Sequence, residues 1–154
     1  MTDASAGGYL HANAVALGEK GLLLRGRSGA GKSSLTLALI ARFAAQGDFA
    51  RLVGDDRVHV TKRCDRLVAR PHPAIAGLIE VRGLGPVPTP FEPACVLHAV
   101  VDIAPPGEAP ERFPEAARRT VRLMEIELPH LAVRSCDDVS LAKIAVFIQS
   151  VNSV

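Results

Sequence analysis

The sequence predicts a mixed α/β domain in which a phosphate-binding loop joins a buried strand to an apolar helix, the sheet being mixed and flanked by helices. Two observations predict it. A short apolar run, 22–25, stops at a glycine-rich loop, and that loop opens into a strongly apolar helical stretch, 33–46. Downstream, short strand candidates recur between turn residues until a closing helix at 140–150.

The elements follow in order. Residues 9–17 read as a strand, Lys20-Gly21 as a turn and 22–25 as a buried strand. The helix over 33–46 carries Leu35, Leu37, Ala38, Leu39, Ala41 and Phe43, and Gly47 and Asp48 end it. Residues 52–54 form a short strand closed by Asp55-Asp56, and 58–61 with 67–69 form two strands around a polar turn at 62–66. Prolines at 71, 73, 86, 88, 90 and 93 keep regular structure short in the middle of the chain, where 78–81 reads either as a helical turn or as a strand. Residues 95–103 are an apolar strand, 105–117 a surface connection, and 120–126 and 131–133 further strands. The last helix places Leu141, Ile144, Ala145 and Ile148 on one face, with Asp137 and Asp138 at its positive end.

A chain of 154 residues suits one domain, 1–154, with the first eight residues expected to be flexible. A net charge of +2, scattered basic residues and few aromatics exclude a nucleic-acid footprint. No apolar run reaches a membrane span of about 20 residues, and no secretory signal opens the chain. Cys64, Cys95 and Cys136 lie far apart, as reduced thiols do, so the expected compartment is the cytoplasm.

The segment Gly26-Arg27-Ser28-Gly29-Ala30-Gly31-Lys32-Ser33, followed by Ser34, fits G-x-x-x-x-G-K-[ST]. Its glycines let backbone N–H groups converge on phosphate oxygens, and the helix that follows adds its positive end. Lys32 supplies a mobile cation, and Ser33 a hydroxyl for Mg²⁺. The expected ligand is ATP or another polyphosphate such as pyrophosphate. Asp55 and Asp56 end the next strand, where a carboxylate can hold Mg²⁺ or take a proton. Adjacent strand residues point oppositely, so one acid serves the site while the other caps the turn or pairs with Arg57. Glu80-Val81-Arg82-Gly83-Leu84-Gly85 could set an acid on the metal and a guanidinium on phosphate, or be a salt-bridged surface turn. His11, taken alone, reads more readily as structural than as catalytic, and His98 as a core or interface residue.

Together, His11, the loop Gly26 to Ser33, Gly54-Asp55-Asp56-Arg57-Val58 and Leu78-Ile79-Glu80-Val81-Arg82-Gly83-Leu84-Gly85 resemble the C-terminal catalytic domain of the HPr kinase/phosphorylase family, in the short form found in alphaproteobacteria. The resemblance covers about residues 9–85. It implies a fold like that of phosphoenolpyruvate carboxykinase instead of a doubly wound sheet. It implies ATP-dependent phosphorylation of a serine on HPr, the phosphocarrier of the sugar phosphotransferase system, and phosphorolysis in reverse. By the same resemblance Asp55, with Asp56 beside it, exchanges the serine proton, and Lys32, His11 and Arg82 belong to the catalytic set. Ser33 and Glu80, with Asp55, hold Mg²⁺, and the chain assembles with itself as a hexamer. Ser34 stands where the family has an acidic residue. The family's later arginine has no assigned counterpart, Arg112 and Arg118 being the nearest guesses. The region around Arg134-Ser135-Cys136-Asp137-Asp138 replaces the family's Arg-Pro-Gly-Arg-Asn segment, which bears on HPr contact and on phosphorolysis. Two other readings stay open: a nucleotide-binding sensor that transfers nothing, and a small-molecule kinase.

Overall fold

In the computed structural model, residues 7–112, 114–115 and 119–152 are described. Strand β1 (Gly7–Leu17) is long enough to serve two sheets. Its first half pairs antiparallel with β4 (Arg57–Arg63), and its second half with β2 (Lys20–Arg25) and β3 (Ala50–Gly54). Strand β8 (Cys95–Ile103) behaves in the same way. It starts antiparallel to β5 (Arg66–Pro71) and continues parallel to β2. Since β4 also pairs with β5, the strands β1, β4, β5, β8 and β2 close into a ring. One wall is the mixed sheet β3-β1-β2-β8-β10, in which β10 (Ile126–Val133) runs parallel to β8 and carries β9 (Thr120–Leu123). The other wall is the antiparallel set β1-β4-β5-β8.

Alternation along the strands builds a core on each side of the mixed sheet. Ala12, Ala14, Leu23, Val58, Val60, Leu67 and Val100 fill the ring. Val15, Leu22, Leu24, Val101 and Ile103 face outward and are covered by α1 (Lys32–Ala45) and α2 (Asp138–Ser150). Leu35, Leu39 and Phe43 of α1 and Ile144 and Ile148 of α2 are buried there. Each such side chain contributes about 1.5–3 kcal/mol by leaving water. Both helices therefore flank one face of the mixed sheet, and the second wall covers the other. No helix is long and apolar enough to cross a membrane among the described residues.

Several boundaries differ from the sequence reading. Gly7 and Gly8 belong to β1, opposite Thr61 and Val60, so the expected flexible start does not reach them; residues 1–6 lie outside the described residues. Lys20-Gly21 is strand, and the turn sits two residues earlier, at Gly18-Glu19, with Gly18 at φ +61°. Gly21 is needed for a different reason: a Cβ there would lie 2.2 Å from the carbonyl oxygen of Val96. The expected strand 120–126 breaks at Met124 and Glu125, both at positive φ, and Ile126 starts β10 instead. Residues 78–81 resolve as β6 (Leu78–Val81), paired with β7 (Gly85–Pro88) in a separate hairpin. Prolines 86 and 88 are tolerated because β7 pairs on one side only. Within the expected connection 105–117, residues 113, 116 and 117 lie outside the described residues.

Candidate active site

Strand β2 ends at Arg25, and the chain turns through the glycine-rich loop into α1. Gly31 sits at φ +100°, a conformation that other residues rarely adopt, and its carbonyl accepts the amide of Leu35 to start the helix. No side chain caps this N-terminus, and the first turn holds no acid. The first amides of α1 are thus left for an external anion. Lys32 is buried, and its Nζ donates to the carbonyls of Gly26 (2.9 Å) and Arg27 (3.1 Å). Burial lowers its pKa, against the opposing pull of Asp56 and Asp55.

Asp55 ends the run after β3 and is buried. Its Oδ1 accepts the Ser33 hydroxyl at 2.6 Å and Asn13 Nδ2 at 2.8 Å, and its Oδ2 accepts the Glu80 amide at 2.9 Å. A carboxylate offers about four acceptor positions, so a place on Oδ2 remains. Asp56 is at φ +63° and points elsewhere: His11 Nε2 donates to its Oδ1 at 2.6 Å. The expected Arg57 partner is therefore replaced by His11. Arg57 instead lies over the Tyr9 ring, 5.5 Å from its centre.

The residue that motif reasoning missed is Asn13. It is fully buried on β1, two positions after His11, amid alanine and valine. Its Nδ2 donates to Thr36 Oγ1 (3.0 Å) as well as to Asp55, and its Oδ1 accepts the Asp56 amide at 2.8 Å. Thr36 in turn donates to the Lys32 carbonyl at 2.7 Å. One amide side chain thus ties both acids to the first turn of α1. The available signal was an amide inside an otherwise apolar strand, since a buried polar group needs partners.

These residues surround a cleft of about 410 Å³ lined by Ser28, Gly29, Gly31, Lys32, Ser33, Ser34, Asp55, Asp56, Glu80 and Arg82. Of the predicted loop residues, Gly26 and Arg27 supply carbonyls to Lys32 and Ala30 packs on the helix-side core, so these three support the loop without lining the cleft. His11 reaches the cleft through Asp56. Arg112 is not among the lining residues, and Arg118 lies outside the described residues. Cys64, Cys95 and Cys136 are free thiols. No cluster of three His, Cys, Asp or Glu side chains gathers to cage a metal among the described residues. The Ser33 hydroxyl on Asp55, with the Glu80 carboxylate in the same cleft, is an all-oxygen donor set. It fits Mg²⁺, which completes its shell with water and phosphate oxygens.

The sequence profile of the HPr Serine kinase C-terminal domain matches residues 4–89. Over 75 residues the chain is 37% identical to the HPr kinase/phosphorylase of Mycoplasma mycoides subsp. mycoides, covering 49% of this chain and 22% of the relative. Over 76 residues it is 40% identical to that of Clostridium beijerinckii, covering 49% of this chain and 23% of the relative. The chain thus spans about a quarter of the length of the curated relatives it matches. The Hpr(Ser) kinase/phosphatase structure from Coxiella burnetii superposes with a TM-score of 0.74 at 23% identity, over 92% of this chain and 94% of that one.

Proposed function

Because this chain belongs to the HPr serine kinase C-terminal domain family, we propose that it transfers the terminal phosphoryl group of ATP to a serine hydroxyl of the phosphocarrier HPr, leaving ADP, and that in the opposite direction inorganic phosphate attacks the phosphoserine, freeing the serine and forming pyrophosphate. The observation that supports this reading best is the carboxylate of Asp55, buried beside the phosphate loop and bonded to the Ser33 hydroxyl. The loop amides and Lys32 take the phosphates, Lys32 exchanging the carbonyls of Gly26 and Arg27 for phosphate oxygens. Ser33 and Glu80 would hold Mg²⁺, with Asp55 reaching it through the Ser33 hydroxyl that it accepts. When bound, Mg²⁺ offsets charge on the phosphate oxygens.

A serine hydroxyl is a weak nucleophile near neutral pH and must lose its proton as the phosphoryl group moves. Asp55 takes that proton on Oδ2, whose single protein donor is the Glu80 amide. Asp56 and His11 form the outer pair that orients the incoming hydroxyl, and Arg82, which also lines the cleft, meets the transferring group. In the reverse direction protonated Asp55 returns its proton to the leaving serine. The enzyme works where HPr does, in the cytoplasm, and as a homo-oligomer.

Purified protein, HPr and radiolabelled ATP with Mg²⁺ test the proposal. Labelled HPr is expected, and Asp55→Asn should abolish labelling while ATP binding by calorimetry is retained. Tight ATP binding without label on HPr would overturn the kinase assignment, and full turnover by Asp55→Asn would overturn the assigned base.

A further inference from the structure

Glycines lose more conformational freedom on ordering than any other residue, so a phosphate loop needs support from outside itself to keep its amides converged. Here Gly26, Gly29 and Gly31 share the loop, the last two at φ +81° and +100°. The support lies beneath it, in the segments that end β8 and follow β10. A Cβ on Gly26 would lie 3.2 Å from Cβ of Ile103, and one on Gly31 would lie 3.4 Å from Cβ of Cys136. Both ends of the loop thus rest on residues beyond position 89, where the match to the family profile stops.

One carboxylate fixes that floor. Asp102 precedes Ile103 and stands opposite Arg25, the last residue of β2 before the loop. Arg25 Nε donates to Oδ1 at 2.7 Å and a terminal nitrogen donates to Oδ2 at 2.8 Å. Such a two-pronged bond sets direction as well as distance. His130 Nε2 meets Oδ2 at 2.8 Å, which adds β10 to the tie. Past β10, Asp137 accepts the Ser140 amide at 2.7 Å and the Ser135 hydroxyl at 3.0 Å, and so holds the turn that carries Cys136. None of Arg25, Asp102 and His130 lines the cleft. Whatever they do for a ligand there, they do through the loop.

We propose that Asp102 is a positioning residue for the phosphate loop: by tying Arg25 and His130 together it holds the loop in its anion-binding form before any polyphosphate arrives. The proposal rests on the reading of the loop as a polyphosphate site. Without the tie a smaller fraction of loops is competent, and apparent affinity falls by that fraction, while the occupied loop is unchanged. Asp102→Ala should therefore weaken pyrophosphate binding with Mg²⁺ by about tenfold in calorimetry and raise KM for ATP similarly, with kcat within about twofold of wild type. Asp102→Asn keeps the shape and one acceptor oxygen and should lose about threefold. In both variants the amides of residues 26–31 should exchange with deuterium faster, and those of β4 and β5 should not. Leu67→Val is the control for lowered Tm: Leu67 is buried on β5, which meets β8 at Cys95 and Val96, the opposite end from Asp102. It should bind pyrophosphate as wild type does. Wild-type affinity in Asp102→Ala, or in Asp102→Asn where the alanine variant does not fold, overturns the proposal. An equal loss in Leu67→Val, or a fall in kcat at constant KM, overturns it too. A wild type that takes up neither pyrophosphate nor ATP overturns this inference and the kinase reading together. If HPr is not labelled while the pyrophosphate and exchange differences hold, the kinase reading fails and the positioning role stands.

Discussion

Asn13 shows how much of the proposed catalytic arrangement hangs on a side chain with no reactive chemistry. Its amide meets Thr36, Asp55 and the backbone of Asp56, and Asn13 itself is fully buried, so its own polar atoms depend on these partners. Replacing it by leucine leaves a buried hydroxyl and a buried carboxylate each short of a partner. Asn13→Leu is expected to cost about 1–3 kcal/mol of stability. Because Asn13 orients the acids and not the phosphate loop, kcat for the proposed HPr phosphorylation should fall by about 10–100-fold while KM for ATP changes less than about threefold. Steady-state kinetics with melting curves check both, and a rise in KM at constant kcat would contradict the positioning role. The loop residues were legible because each has its own job in a fixed spacing. Asn13 was not, because its partners are 23 and 42 positions away and only β-pairing brings them within reach.

At the scale of elements, three parallel strands end in a polar cluster just before the phosphate loop. Arg25 on β2 donates to Asp102 on β8 through Nε (2.7 Å) and a terminal nitrogen (2.8 Å), and His130 on β10 donates to the same carboxylate at 2.8 Å. Burial pushes the Asp102 pKa up, but the hydrogen bonds and charges of His130 and Arg25 overcome it and hold the group at about 2. A depressed carboxylate stabilises the fold above its unfolded pKa, near 4, and loses that contribution as pH falls through 2. Wild type should therefore exceed Asp102→Asn by roughly 1–2 kcal/mol at pH 7, after allowing for solvent screening, and the gap should close between about pH 4 and pH 2. Urea unfolding across that range reads it, and a gap independent of pH would refute the assignment. The two helices were legible from periodicity, and Asp137 and Asp138 were legible as acids at the start of the second; that Asp137 caps it, accepting the Ser140 amide at 2.7 Å, was not. The β9–β10 turn was not, since Met124 and Glu125 carry none of the usual markers for positive φ.

For the molecule as a whole, the loop is the hinge between the mixed sheet and its helical cover, so occupying it should stabilise everything packed there. With MgATP at a hundredfold excess over its dissociation constant the folded state gains about 2.7 kcal/mol, which for a chain of this size raises Tm by roughly 5–10 °C. Lys32→Ala should lose most of that rise at the same concentration, as read by thermal melts, and an undiminished rise would contradict its phosphate contact. The sequence showed strands but not their closure, because parallel pairing of β2 with β8 joins residues more than 70 positions apart. That closure carries a consequence for solubility. Unpaired strand margins are templates for aggregation, and here every ring member has neighbours on both sides. The open margins among the described residues are short. One is the four-residue β9. Another is β3, where Leu52 exchanges backbone hydrogen bonds with Pro90 and Glu92 of a crossing loop. Copies of this chain therefore find little backbone to zip onto, and any assembly they form has to be built from side chains.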